Sequence, residues 1–328
     1  MTLDDATSVQ LLREMLAARH WSDRAFNLQR QGRAGTNAQV DGSEAVVVGT
    51  AHALDPATDW IVPQYREQVG LHRFGPEVLD HYVLYLLGHP HGGHVPDGVN
   101  VFPVSISLGT QIPHAVGLAW AKALRGEPGV VVVFFGDGST SEGDFYEAGN
   151  LAGVLDAPVI LCCVNNQWAI STPRSAQTRA TAIADKAAGF GIPGVQVDGT
   201  DPVAVHEVMA AARERAVGGG GATLVEAVTY RLAAHTTADD PTRYVPEDEL
   251  AEGRRRAPLV VHRDTLTARG LWDDEVEAEA MAWADARFDE ALTRAEARPL
   301  DEADLLTHAL AEPTPRMRRQ AAELRGER

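Results

Sequence analysis

The chain has 328 residues, 45% of them hydrophobic and 23% charged, which places it among ordinary globular proteins with a substantial core. Its 46 acidic residues against 29 basic ones give a formal charge of −17, which argues against a general nucleic-acid binder, although a small anion can still find a locally positive site. Residues Met1 to His20 lack the basic start and apolar block of a signal peptide, and no apolar run reaches membrane-spanning length. The 2 cysteines, Cys162 and Cys163, are adjacent in an apolar run and make no disulfide framework. The expectation is a cytoplasmic chain with neither membrane nor nucleic acid as partner.

In chain order, Leu3 to Arg30 has the spacing of a helix, with Leu11, Leu12, Met15, Leu16, Arg19 and Trp21 recurring along it. Gln29 to Ser43 reads as loop and Glu44 to Leu54 as a buried helix. Gly88 to Ser107 reads as a long aperiodic loop, a feature usually tied to function. Thr110 to Leu124 predicts a helix with Ile112, Val116, Ala119, Trp120 and Ala123 on one face and Gly126 as its stop. Val130 to Phe135 is an unbroken apolar run, as in a parallel strand covered on both faces. A polar turn over 136–143, a helix from Asp144 to Leu155 and a second buried strand from Pro158 to Val164 follow. A short helical segment from Asp185 to Phe190 leads to a strand from Gly194 to Val197. Asp201-Pro202 then caps a helix running to about Val217, and Thr223 to Leu232 reads as another strand. From Pro246 the chain is charged, alanine-rich and helical, notably from Asp273 to Ala297, and it ends in a basic segment, Arg316 to Arg328. Alternating strands and helices predict an α/β fold, a mostly parallel sheet with helices on both faces and a helical C-terminal extension. The divisions are 1–45 for an N-terminal helix and loop, 46–245 for the α/β core and 246–328 for the extension of the same domain.

Two strands end in unusual polar turns, Gly136-Asp137-Gly138 and Asn165-Asn166, with 26 residues between Gly138 and Asn165. One helix and one strand fill that interval, so both turns can lie at the carboxyl edge of one sheet, where α/β proteins bind ligands. Glycines let a backbone approach phosphate, and a hard dication takes a carboxylate, an amide oxygen and a carbonyl. Asp137, Asn166 and the carbonyl of Trp168 supply that set, and the combination reads as a diphosphate site with a magnesium ion. A nicotinamide-dependent oxidoreductase is the distant alternative. It needs G-x-G-x-x-G, and the turn here runs G-D-G-S-T-S, without the third glycine.

The stretch GDGSTSEGDFYEAGNLAGVLDAPVILCCVNNQWAISTP is similar to the thiamine diphosphate motif, and its wording resembles the alpha subunit of the E1 component of 2-oxo acid dehydrogenase complexes. NLQRQGR at 27–33, QYRE at 64–67, GVNVFP at 98–103, TQIPHAVG at 110–117, GIPGVQVDG at 191–199 and HTTADDPTRY at 235–244 extend the resemblance over roughly residues 10 to 300. The resemblance implies a thiamine diphosphate-binding core and oxidative decarboxylation of a 2-oxo acid, with acyl transfer to the lipoyl group of an E2 acyltransferase. It also implies a beta subunit completing an alpha2-beta2 heterotetramer. It implies Asp137, Asn166 and Trp168 as magnesium ligands. Tyr65, Arg66, Ile106, Gly136, Asp137, Gly138, Ser139, Asn166 and His235 become cofactor contacts, His235 also acting catalytically. Ser105, Ser107, Thr110 and Gln111 resemble a potassium site of branched-chain relatives.

GVNVFP and DDPTRY resemble pyruvate-type members and TQIPHAVG branched-chain ones, so pyruvate is favoured slightly. Branched-chain 2-oxo acid dehydrogenase and acetoin dehydrogenase alpha subunits are the alternatives. Where many relatives carry an aromatic pair beside the substrate pocket, this chain has Gly35-Thr36-Asn37, and the Gly-Gln-Glu-Ala that usually follows is Gly42-Ser43-Glu44-Ala45. In the long loop, Val95-Pro96-Asp97-Gly98 departs from the pattern of some branched-chain members. These changes imply a more polar or roomier wall. Thr236 stands where animal relatives carry a regulatory serine. His89, His91 and His94 have a spacing that could suit a transition metal, without acidic or cysteine support nearby.

Overall fold

The computed structural model describes residues 3–94, 96–307 and 310–327; Val95 of the long loop, Met1 and Arg328 lie outside them. Asp4 accepts a hydrogen bond from the backbone of Thr7 and starts α1 (Asp5–Arg30), and α2 (Glu44–Ala53) follows. A three-residue strand, β1 (Trp60–Val62), and α3 (Glu77–Leu86) come next; neither was expected from the sequence. Strand β1 is too short to show alternation and runs straight into Pro63. Helix α3 buries Val78, Leu79, Tyr82, Val83 and Leu86 at helical spacing, so its signal was present and went unread.

α4 (Gln111–Arg125) ends at Gly126 in the left-handed conformation, as the stop signal implied. Its buried face is Ile112, Ala115, Val116, Ala119 and Lys122, while Trp120 and Ala123 are exposed, which corrects the expected face. The core strand β2 (Val131–Gly136) is followed by a 3-10 turn over Asp137–Ser141 and then by α5 (Gly143–Val154). β3 (Val159–Asn165) leads into a two-strand hairpin, β4 (Trp168–Ala169) and β5 (Thr172–Pro173), and the four-residue α6 (Arg174–Gln177). The segment Ile183–Phe190 is 3-10 helical. β6 (Gly194–Asp198), α7 (Pro202–Arg215) capped by Asp201, and β7 (Thr223–Val228) complete the core. Strand β7 stops at Val228 rather than at Leu232, because Thr229 and Arg231 turn to donate their backbone N–H groups to the carbonyls of Asn165 and Asn166. Helices α8 (Glu247–Arg255), α9 (Pro258–Ala268), α10 (Asp274–Ala297), α11 (Asp304–Thr307) and α12 (Pro315–Leu324) follow.

The main sheet is parallel throughout, in the order β1-β2-β3-β7-β6. Successive side chains of a strand face opposite ways, so both helical layers draw on the same apolar runs. Val132, Phe134, Ile160, Cys162 and Val225 face a layer of α1, α2, α3, α7 and α10. Val131, Val133, Phe135, Leu161 and Leu224 face α4, α5 and the 183–190 segment. The two cysteines point to opposite faces, both buried and unbonded, and burial pushes the Cys162 thiol up to about 12. Helix α10 packs along α1 and α3 by way of Ala284, Phe288 and Ala291, so the C-terminal helices share the core of the α/β unit. No helix among the described residues is long and apolar enough to cross a membrane.

Candidate functional site

Four strands deliver polar segments to the carboxyl edge of the sheet. β1 passes through Pro63 into Gln64-Tyr65-Arg66-Glu67. β2 ends at Gly136-Asp137-Gly138 and β3 at Asn165-Asn166. β7 runs on to Arg231 and His235. Gly136 lies opposite Val164 in the parallel ladder, and Asn165 lies opposite Val228, so register alone brings the three inner segments together. Between them opens a cavity of about 820 Å³, lined by Tyr65, Arg66, Ile106, Gly136, Asp137, Gly138, Ser139, Asn166, Trp168 and His235 among others. Every residue expected to touch the cofactor therefore lines one cavity. Ile106 is the most open, 59% exposed.

Asp137 is 2% exposed, and every hydrogen-bond donor on its carboxylate is a neutral amide. Gln177 Nε2 donates to its Oδ2 at 2.7 Å, and the nearby backbone N–H groups of Asp137 and Asn166 favour its charged form. Burial raises the pKa of this acid from its ordinary value. Asn166 Oδ1 accepts from the backbone of Trp168 at 3.1 Å. The chain turns back sharply there, with Gln167 at φ 73° and Ile170 at φ 55°, a cost that β-branched Ile170 tolerates only because the hairpin holds it. Arg231 donates to the carbonyls of Trp168 at 3.4 Å and Ile170 at 2.9 Å.

The two adjacent asparagines do different work. Asn165 Nδ2 donates to Glu226 Oε1 on neighbouring β7 at 2.7 Å, and its Oδ1 accepts from Gln167. It shapes the turn, whereas Asn166 faces the cavity.

Several features of the site suit an anionic group with a dication. The Ser139 hydroxyl and Gln177 Oε1 are buried without a partner among the described residues. A Cβ at Gly138 would come 2.7 Å from Ala169 Cβ, so only glycine lets the hairpin close on the turn. The buried Asp137 carboxylate has no cation paired with it among the described residues. The donor set of carboxylate, amide oxygen and backbone carbonyl is the hard-oxygen set that magnesium takes.

On the opposite wall, Arg66 Nη1 donates to the Gln39 carbonyl at 2.8 Å. Its Nη2 donates to the His235 carbonyl at 2.8 Å and meets His235 Nδ1 at 3.0 Å. The Arg66 guanidinium also lies 5.4 Å from the Tyr65 ring centroid, and Tyr65 meets the His235 ring edge-on. Burial and the charges of Arg66 and Arg231, opposed by Asp239, push the His235 pKa down to about 4. His235 is therefore neutral near pH 7. With Nδ1 accepting from Arg66, its proton sits on Nε2. The backbone of His235 donates to Asp239 Oδ2 at 2.8 Å, and Asp239 also holds Tyr244.

The sequence reading overlooked the residues that hold these groups in place. Glu67 is buried and accepts from the backbones of Gln64 and Arg66, while Gln64 Oε1 accepts from Gly136. Both lie inside the quoted QYRE stretch, which was the available signal. Asp239 likewise lies inside the quoted HTTADDPTRY stretch, whereas Lys186, which reaches the Thr140 carbonyl at 2.9 Å, Arg231 and Gln177 had no signal short of the fold itself.

Other candidates sit elsewhere. The Ser105 hydroxyl donates to the Ser107 carbonyl, Thr110 makes no side-chain cap, and Gln111 Nε2 donates to Phe134 with its Oε1 buried and unpartnered. His89 bonds the Pro299 carbonyl and His91 bonds Asp304 at 2.9 Å. These histidines tie the long loop to the C-terminal segment, and no group of three His, Cys, Asp or Glu suited to a metal ion occurs among the described residues. Asn37 lines the cavity beside Thr36 and Tyr85. Its Oδ1 accepts from Tyr82, and its Nδ2 is buried without a partner.

Residues 12–304 match the family described as dehydrogenase E1 component. The pyruvate dehydrogenase E1 component subunit alpha of Staphylococcus epidermidis is 41% identical over 295 residues, 90% of this chain and 79% of the relative. The protein of the same name from Staphylococcus aureus is 42% identical over the same shares. The 3-methyl-2-oxobutanoate dehydrogenase subunit alpha of Mycobacterium tuberculosis is 41% identical over 333 residues, 99% of this chain and 88% of the relative.

Proposed function

The chain belongs to the dehydrogenase E1 component family, and from that premise we propose that it is the alpha subunit of a 2-oxo acid dehydrogenase E1, using thiamine diphosphate and Mg²⁺. The observation that carries the cofactor reading is the buried, unpaired Asp137 carboxylate beside Asn166 and the Trp168 carbonyl, with an orphaned Ser139 hydroxyl at the same turn. Asp137, Asn166 and Trp168 hold the magnesium ion. Gly138, Ser139, Tyr65, Arg66 and His235 receive the diphosphate, with Gly136 and Ile106 along its flank. Thiamine diphosphate, when bound, supplies the carbon nucleophile and electron sink for decarboxylating a 2-oxo acid.

The chain's own residues supply charge and orientation. Arg66 brings a buried positive charge, together with the N–H groups that are not already bonded to Gln39 and His235, and in that setting each bond to phosphate counts for more. His235 presents a neutral Nε2–H, a hydrogen-bond donor held in one tautomer by Arg66 and placed on the cavity wall. Exposed apolar side chains on α4 and α5 support the need for a second subunit. Trp120, Leu124, Tyr146, Leu151 and Val154 lie on these two packed helices, with Leu124 and Val154 both 71% exposed. A beta subunit covers this face in an alpha2-beta2 assembly, which passes its acyl group to the lipoyl arm of an E2 acyltransferase. Ser105, Ser107, Thr110 and Gln111 are the proposed potassium ligands, and the Gln111 Oε1 acceptor is buried without a partner among the described residues.

Pyruvate is the first substrate to test. The near full-length match to a 3-methyl-2-oxobutanoate dehydrogenase subunit makes the branched 2-oxo acid the second. The test is reconstitution with the beta subunit and measurement of decarboxylation of both acids against Mg²⁺ and thiamine diphosphate. Turnover requires both cofactors and both polypeptides. Turnover by this chain alone overturns the reading.

A further inference from the structure

We infer that Gln177 is a positioning residue of the ion site, stapling the end of β2 to the β4–β5 hairpin so that the Asp137 carboxylate and the Trp168 carbonyl face one point. The inference rests on the magnesium reading above. One amide nitrogen makes the staple: Gln177 Nε2 donates to Asp137 Oδ2 at 2.7 Å and to the Thr172 carbonyl at 3.2 Å. Thr172 pairs with Ala169, next to Trp168, whose carbonyl is the expected third ligand.

Gln177 is itself well anchored. It ends α6, whose first residue, Arg174, donates its backbone N–H to the Gln167 carbonyl at 2.9 Å. The Arg174 guanidinium also bonds the carbonyls of Ala180 and Thr181. The anchor therefore starts one residue before Trp168 and closes over the hairpin. Gly138 is pressed against Ala169 beneath it, so the hairpin cannot settle lower.

The chemistry favours an amide at this place. A lysine or arginine bonded to Asp137 would neutralise the carboxylate and compete with the cation. A neutral amide steadies the carboxylate and leaves its charge for the ion. The Gln177 Oε1 is buried without a partner among the described residues, on the wall of the same cavity. Hydrogen-bond partners of metal-binding carboxylates commonly govern affinity by about 10- to 100-fold.

The test uses the reconstituted alpha–beta enzyme with saturating thiamine diphosphate, and Mn²⁺ as the probe, read by electron paramagnetic resonance. Gln177→Leu is expected to weaken Mn²⁺ binding by about 10- to 100-fold, to regain activity at high Mg²⁺ and to melt within a few degrees of the parent. Gln177→Asn keeps the amide but shortens its reach by one methylene, so it should weaken Mn²⁺ binding too. If Gln177→Leu fails to fold, Gln177→Asn carries the test. A parent that binds Mn²⁺, with both variants binding it within twofold, overturns the role of Gln177 alone. A parent that binds no Mn²⁺ overturns the magnesium reading and this inference with it.

Discussion

The carboxyl edge of the sheet is built in two ways. The ion end, around Asp137, Asn166 and Trp168, stands on the last residues of β2 and β3; neutral amides hold the Asp137 and Asn166 side chains, and Arg231 reaches the hairpin carbonyls of Trp168 and Ile170. The His235 end stands on irregular chain after β7 and is held by charged groups: Arg66, Arg231 and Asp239, with Tyr244 between them. Burial pushes the key group of each end toward its neutral form, raising Asp137 and lowering His235. Asp137 has no cation bonded to it among the described residues, which leaves its negative charge for an ion to satisfy. The cationic surroundings of His235 keep it unprotonated and aim its remaining N–H. One end is a prebuilt socket, and the other is a set of side-chain bonds around a single ring.

The largest effect expected of a single change is at the socket. Asp137→Ala removes the only carboxylate among the expected ion ligands and should reduce Mg²⁺-dependent thiamine diphosphate binding by at least about 100-fold, measured by calorimetry. The metal-free chain should lose no stability, because the buried acid it lacks had no cationic partner. A clear fall in melting temperature would show that Asp137 is a structural residue and break the comparison. Next comes Glu226→Ala. This buried carboxylate accepts from Asn165, the backbone of Ala184 and Gln196. Leaving those donors unpaired should cost on the order of 3 kcal/mol in denaturant unfolding. The same variant should weaken Mn²⁺ binding, because Asn165 sets the turn that presents Asn166.

The two ends were not equally legible in the sequence. The socket could be read because its residues sit at strand termini, where long apolar runs such as Val130 to Phe135 declare the strand and the polar turn marks its end. Register then aligned Gly136 with Val164 with no further information. The His235 end was legible only as a motif. What holds it comes from residues far apart in the chain, such as the bond between Arg66 and His235, and spacing cannot announce such pairs. The same limit hid Gln177 and Glu226. Trp120 was misplaced for a related reason: an apolar residue on a helix next to the core stripe reads as core, unless one knows that this face is left for another surface.

The pH behaviour separates the two ends with a smaller effect. The His235 pKa is about 4 in the folded chain and near 6.5 when unfolded. Between those values the unfolded chain takes up a proton that the folded one refuses, so this group's contribution to stability falls as pH drops from 6.5 through 4. Nitrogen NMR of labelled histidine should show His235 neutral, with its proton on Nε2, down to about pH 5. Arg66→Leu should raise the pKa toward 6.5 and release the tautomer preference. A His235 that titrates near 6.5 in the parent would mean that Arg66 does not govern the ring.

The smallest expected effect belongs to the strap behind His235. The Tyr244 hydroxyl accepts from Arg231 Nη2 at 2.8 Å and donates to Asp239, which in turn accepts from the His235 backbone. Tyr244→Phe removes the hydroxyl and keeps the ring that packs against Trp168. The strap is partly exposed, so water replaces part of what is lost, and the cost should be about 0.5–1.5 kcal/mol. Backbone hydrogen exchange over residues 236–244 should quicken, because Asp239 loses its side-chain partner and keeps its bond to the His235 backbone. Mn²⁺ affinity should stay within about twofold of the parent, since neither Gln177 nor Asn166 bonds to Tyr244. If Mn²⁺ affinity falls instead, Arg231 is the route: it bonds both Tyr244 and the carbonyls of Trp168 and Ile170, so the socket and the His235 loop would then be one mechanical unit rather than two.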